Sequence, residues 1–163
     1  MMFRQDVFIT RSSSRSGFSL VEIAVVAGII GLLAVMAIPA FQQARINSYA
    51  SQLANDFRSF AGAFEICALE LGKWPADGDG NGLPVEAEPY LEGTSWYRVP
   101  PNAGIWDWKL NSSGVVASVG LSGGNGGLDV EVFERLDEIL DDGNLATGVF
   151  RQSGERYLYV LQQ

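Results

Sequence analysis

The sequence predicts an α+β chain in which one long N-terminal helix, apolar in its first half and amphipathic in its second, packs on a small antiparallel sheet. Three observations carry this. An apolar run from Phe18 to Ile38 is followed at once by Pro39, and an apolar period of three and four residues then continues to Leu71. A turn-rich stretch follows, holding five of the six prolines, so no regular element fits there. The last third carries short strand patterns separated by Gly, Ser and Asn turns, with one further helical stretch. A helix followed by locally paired strands makes an α+β domain.

The first half of the helix reads FSLVEIAVVAGIIGLLAVMAI, twenty-one residues with one charge, Glu22. At 1.5 Å per residue it reaches about 31 Å, the thickness of a bilayer core. A carboxylate there costs roughly 2.5–3.5 kcal/mol on insertion scales. From the span alone Glu22 has two readings. Four residues in, it snorkels to the interface or stays protonated, or else it is kept for a partner.

The second half places Ile46, Leu53, Phe57, Phe60, Phe64, Cys67 and Leu71 on one side, with Gln43, Arg45, Gln52, Asn55, Asp56 and Arg58 mostly between them. Gly72 ends the helix and Pro75 blocks its resumption. Pro39 lacks a backbone donor, so a kink is expected there. Further on, Trp106–Leu110 and Val115–Leu121 read as strands around an Asn111–Gly114 turn. Asp129 opens an amphipathic helix whose apolar side holds Val130, Phe133, Leu136, Ile139 and Leu140. The segments 147–152 and 155–162 form a terminal hairpin with YLYVL as its inner strand.

Charge and composition exclude several functions. The chain carries −8 overall, yet its first seventeen residues hold three Arg and one Asp, leaving −10 for the remainder. An acidic body without a basic stripe argues against nucleic acid as a partner. With no histidine, there is no Ser-His-Asp triad, no Cys-His pair and no imidazole zinc site. The single cysteine, Cys67, has no internal disulfide partner and reads as a small core hydrophobe. No carboxylate pair is singled out for acid–base chemistry, so no enzyme is expected.

Residues 11–22, RSSSRSGFSLVE, join a basic hydrophilic segment ending in Gly17 directly to the apolar run. This resembles the prepilin-type leader of type IV pilins and type II secretion pseudopilins, with an aromatic first mature residue, Phe18, glutamate at the fifth mature position, Glu22, and proline at the twenty-second, Pro39. A general secretory signal would instead be cut after its apolar region. The resemblance implies a pilin-like fold and three segments. Residues 1–17 are a leader cut between Gly17 and Phe18 by prepilin peptidase, 18–39 the transmembrane and assembly half of the helix, and 40–163 an exported domain whose residues 40–71 are amphipathic helix. It further implies N-methylation of Phe18 and assembly through Glu22. The implied partners are other pilins or pseudopilins, in a homo- or hetero-oligomer, together with membrane lipid and an inner-membrane assembly platform. The implied location is a single pass of the cytoplasmic membrane, N-terminus cytoplasmic and C-terminal domain periplasmic or extracellular. The missing disulfide loop favours a pseudopilin of a type II secretion system, a protein-transport filament, over a major pilin.

Two further readings concern ligands. Asp77, Asp79, Asn81, Gly82 and Glu88 match positions one, three, five, six and twelve of a calcium loop. Pro84 and Val85 depart from that template, so a metal-free Gly/Asp turn stands beside a weak Ca²⁺ site. Exposed Trp96, Trp106 and Trp108 would instead suit a membrane-tethered binding module for carbohydrate or peptide. Aromatics in a small sheet are more commonly core.

Overall fold

The structure, a computed structural model, describes residues 17–78, 82–100, 104–123 and 129–163. Helix α1 spans Leu20–Leu71, the short α2 Glu88–Leu91 and α3 Val130–Leu140. Strands β1 (Ile105–Ser112), β2 (Val115–Ser122), β3 (Phe150–Ser153) and β4 (Arg156–Gln162) form one antiparallel sheet in the order β1-β2-β4-β3. The chain is thus α+β, with an apolar N-terminal helix whose later part packs on a four-stranded sheet. It divides into two compact units, Met1–Ala40 and Phe41–Gln163.

In the described part of the first unit no residue is buried, although Leu20, Val21, Ile23, Val25, Val26, Ile29, Ile30, Leu32 and Leu33 are all large and apolar. This stretch of α1 is long and apolar enough to cross a membrane. A helix that is hydrophobic all round needs lipid or other helices as its solvent. Pro39 lies inside α1.

The second unit has a core made where α1 meets the sheet. Ala50, Leu53, Ala54, Phe57, Phe60, Phe64 and Cys67 are buried on one helix face, as the apolar period requires. Phe57 and Phe60 meet the Trp106 ring edge-on at 4.9 and 4.8 Å, and Phe64 stacks on Trp108 at 4.1 Å. The small Ala50 and Ala54 share this buried face with the large aromatics, which fill the space between helix and sheet. On α3, Val132, Phe133 and Leu136 are buried, and Phe133 stacks on Tyr157 of β4. Arg58 of α1 donates to the carbonyl of Ile139 and Arg135 to the side chain of Asn47, so α3 also lies along α1.

Sheet details follow from local chemistry. Ser112 pairs with Val115, leaving Ser113 and Gly114 as a two-residue turn, both at positive φ (56° and 75°). Such turns match the twist of the strands they join. In β2 most side chains are buried, and Gly120 has a separate role. Asp107 of β1 and Arg156 of β4 meet across it at 2.7 Å, where a side chain would collide with both.

Candidate functional site

The start of α1 is where the candidate processing and assembly residues lie. Gly17, Phe18 and Ser19 precede the helix in non-helical backbone, and Phe18 is 84% exposed. A peptidase needs such an extended, accessible segment, because a bond inside a hydrogen-bonded helix must first be unwound. The helix itself begins at Leu20, two residues later than the apolar run.

Ser19 sets that start. Its hydroxyl accepts from the backbone N–H of Glu22 at 3.2 Å, while the Glu22 carboxylate accepts from the backbone N–H of Ser19 at 2.8 Å. This reciprocal pair is a capping box, in which each side chain satisfies one of the backbone donors that a helix start leaves free. The carboxylate also sits at the positive end of the helix dipole. Glu22 therefore has a role inside its own chain, which its charge and depth alone did not disclose. The legible signal was the Ser-x-x-Glu spacing of Ser19 and Glu22. One carboxylate oxygen, Oε2, serves the cap, and a carboxylate offers about four lone-pair sites. The same group thus retains acceptor capacity for a cation brought by another chain.

The calcium-loop residues are placed separately. Asp77 accepts from the backbone N–H of Leu110 at 2.6 Å, and the carbonyl of Gly82 accepts from Trp108 at 3.1 Å. This segment therefore caps the outer edge of β1, a device that protects an open sheet edge. Glu88 opens α2 and lines a hollow of about 670 Å³ with Trp96, Tyr97 and Ile105. Asp79 and Asn81 lie outside the described residues.

The three tryptophans are not a surface platform. Trp96, Trp106 and Trp108 are 6%, 4% and 0% exposed. Trp108 also donates its ring N–H to the Pro75 carbonyl at 3.1 Å, so its polar tip is satisfied internally. Their rings pack on Phe57, Phe60 and Phe64, which corrects the exposed placement that a carbohydrate or peptide site would need. Cys67 is buried too, its thiol donating to the Glu86 carbonyl. Burial, aided by the carboxylates of Glu86 and Glu70, pushes the thiol above its usual range. A thiol of that kind is a packing residue and a poor nucleophile.

Comparison with known proteins points one way. Over 69 residues the chain is 39% identical to prepilin peptidase-dependent protein D of Escherichia coli K12, a match covering 42% of this chain and 47% of that protein. It is 29% identical over 105 residues to the fimbrial protein EcpC of Eikenella corrodens, covering 64% of this chain and 69% of the relative. It is likewise 29% identical over 101 residues to the type IV major pilin PilE1 of Neisseria gonorrhoeae, covering 62% and 56%. The chain therefore spans about half the length of the first of these relatives. No family model and no solved structure matches it.

Proposed function

We propose that the chain is a member of the type IV pilin and pseudopilin family to which its relatives belong, a structural subunit, not an enzyme, that polymerises through its N-terminal helix into a type II secretion pseudopilus or a type IV pilus-like filament. The observation that carries this reading is the unpartnered first part of α1. It is apolar on every side, wholly unburied, and headed by one carboxylate held at its first turn.

Prepilin peptidase removes residues 1–17 at the Gly17–Phe18 bond, on the cytoplasmic side where the basic leader stays. The new amine on Phe18 is methylated and keeps its positive charge. The subunit waits in the membrane with residues 40–163 exported, and the assembly platform then moves it into the filament. There the exposed apolar faces of neighbouring helices replace lipid. Glu22 accepts from the Phe18 amine of an adjacent subunit through capacity that its cap on Ser19 leaves free. Such a pair has a strict register, because a helix displaced by one turn would leave a carboxylate and an amine uncompensated in an apolar setting. The lack of an internal disulfide at Cys67 favours the pseudopilus.

N-terminal sequencing and intact mass of the membrane-extracted chain test this pathway. A mature chain beginning at methylated Phe18 is expected. A chain that keeps residues 1–17, or is cut beyond Ile38, overturns it.

A further inference from the structure

We propose that Asp137, Asp141 and Asp142, at the end of α3 and the start of the loop to β3, bind a hard divalent cation, calcium in preference to magnesium. One carboxylate oxygen from each residue lies within 4.8 Å of the others. Three carboxylates that close suit calcium, which takes many oxygen ligands in flexible geometry, better than magnesium, which keeps several waters and is held by one or two carboxylates.

Proximity of acids is common, but Asp137 is not an ordinary surface acid. It is 0% exposed, and neither of its carboxylate oxygens has a hydrogen-bonded partner. Buried ionised groups are normally paired or coordinated to metal, since their desolvation is otherwise uncompensated. No cationic side chain among the described residues performs that service. Among the described residues the salt bridges are Arg135 with Glu138 and Arg156 with Asp107. Arg58, which reaches this end of α3, donates to the Ile139 carbonyl at 3.1 Å and forms no salt bridge with Asp137. The helix also presents its negative pole to the cluster, and its last turn has no basic residue.

Asp137 is thus buried and faces two further carboxylates. A divalent ion supplies the missing positive charge. The two outer acids are already oriented by the loop. Asp141 accepts from Val149 N–H, and Asp142 accepts from Asn144 N–H at 2.9 Å. Filling the centre would therefore fix the end of α3 to Val149, the residue before β3. This site is separate from the Asp77–Glu88 loop and requires no polymerisation.

The test uses the full chain in detergent micelles. Thermal midpoints are compared in millimolar calcium, in magnesium and in chelator, with calorimetric titration of calcium chloride as a direct readout of binding. At tenfold excess over the dissociation constant the folded-to-unfolded ratio should rise about elevenfold. The wild-type chain should melt higher in calcium than in chelator, with a smaller magnesium effect. Asp137→Asn removes the buried charge at nearly constant volume, so it should melt higher than wild type in chelator, lose the calcium shift and give no calcium titration. Asp77→Ala/Asp79→Ala should keep both shift and titration. Equal midpoints with and without calcium in the wild-type chain, a calcium shift that survives Asp137→Asn, or loss of the shift only in the Asp77/Asp79 variant each overturn the assignment.

Discussion

Replacing Gly120 with alanine should destabilise the second unit out of proportion to the size of a methyl group. A Cβ at this point of β2 would stand 2.3 Å from the Asp107 carboxylate and 2.4 Å from the Arg156 guanidinium, with the guanidinium carbon at 3.1 Å. Both partners are tied to strands that flank β2, so neither moves away freely. The 2.7 Å charge-assisted contact between them must lengthen or break, and their side chains are only 15–18% exposed. A hydrogen bond to a charged group contributes about 1.5–3 kcal/mol, and overpacking of a close-packed site costs roughly 1–3 kcal/mol. The two effects overlap, so a loss of about 2–4 kcal/mol is expected. For a folding unit of this size that lowers Tm by roughly 6–15 °C. The assay is thermal melting of the full chain in micelles, followed by tryptophan fluorescence, because Trp106 and Trp108 report on the core beside β1. The same substitution in an Asp107→Ser/Arg156→Leu background should cost much less, since the obstacle is gone. A Gly120→Ala chain melting within about 2 °C of wild type refutes the reasoning, as does an equal penalty in both backgrounds.

Ser19→Ala removes the cap of α1 and should cost about 1 kcal/mol at the helix start. Amide exchange of Glu22 and Ile23 then speeds up about fivefold at an unchanged melting temperature of the second unit, and unchanged exchange would contradict the capping role. Phe57→Ala empties a site bounded by Trp106, Phe150 and Tyr159 and should cost about 3–5 kcal/mol, read from the urea midpoint. Cys67, with its thiol pKa raised, should resist alkylation in the native chain at pH 8.5 and react once urea unfolds it. Because the folded chain holds that proton more tightly, stability falls as pH rises above the ordinary thiol range near 9.0. Cys67→Ala should lack that part of the alkaline decline, and parallel pH–stability curves would refute the linkage.

Much of the fold was legible because it is written in local periodicity. The α1 helix ends at Leu71, where Gly72 and Pro75 stop an apolar period, and the β1–β2 hairpin follows from strand patterns around the Asn111–Gly114 turn, which pairing of Ser112 with Val115 narrows to Ser113-Gly114. Placement of β4 between β2 and β3 was not fully legible, because a non-local pairing leaves no mark on neighbouring residues. The role of Gly120 was not legible either, because the ion pair across it joins residues of two other strands. Asp137 was hidden differently. It stands between Leu136 and Glu138 on an amphipathic helix, and nothing in that pattern marks its full burial. At the candidate site, the charge of Glu22 and the glycine boundary were readable. The cap on Ser19 was equally readable from its spacing, but a buried-charge reading of Glu22 looks for a partner in another chain first. The tryptophans could be surface or core on sequence alone, and the aromatic face of α1 decides the matter.

The most direct test of assembly through the N-terminal helix is to express Glu22→Ala beside the wild-type chain in a host that carries prepilin peptidase and an assembly platform, then compare membrane and sheared-filament fractions by immunoblot. Removing an expensive intramembrane carboxylate should leave insertion and cleavage intact, while the neighbour's amine loses its acceptor. The expected result is a normally cleaved, membrane-held chain that is depleted from filaments. Glu22→Ala chains entering filaments at the wild-type level would contradict it.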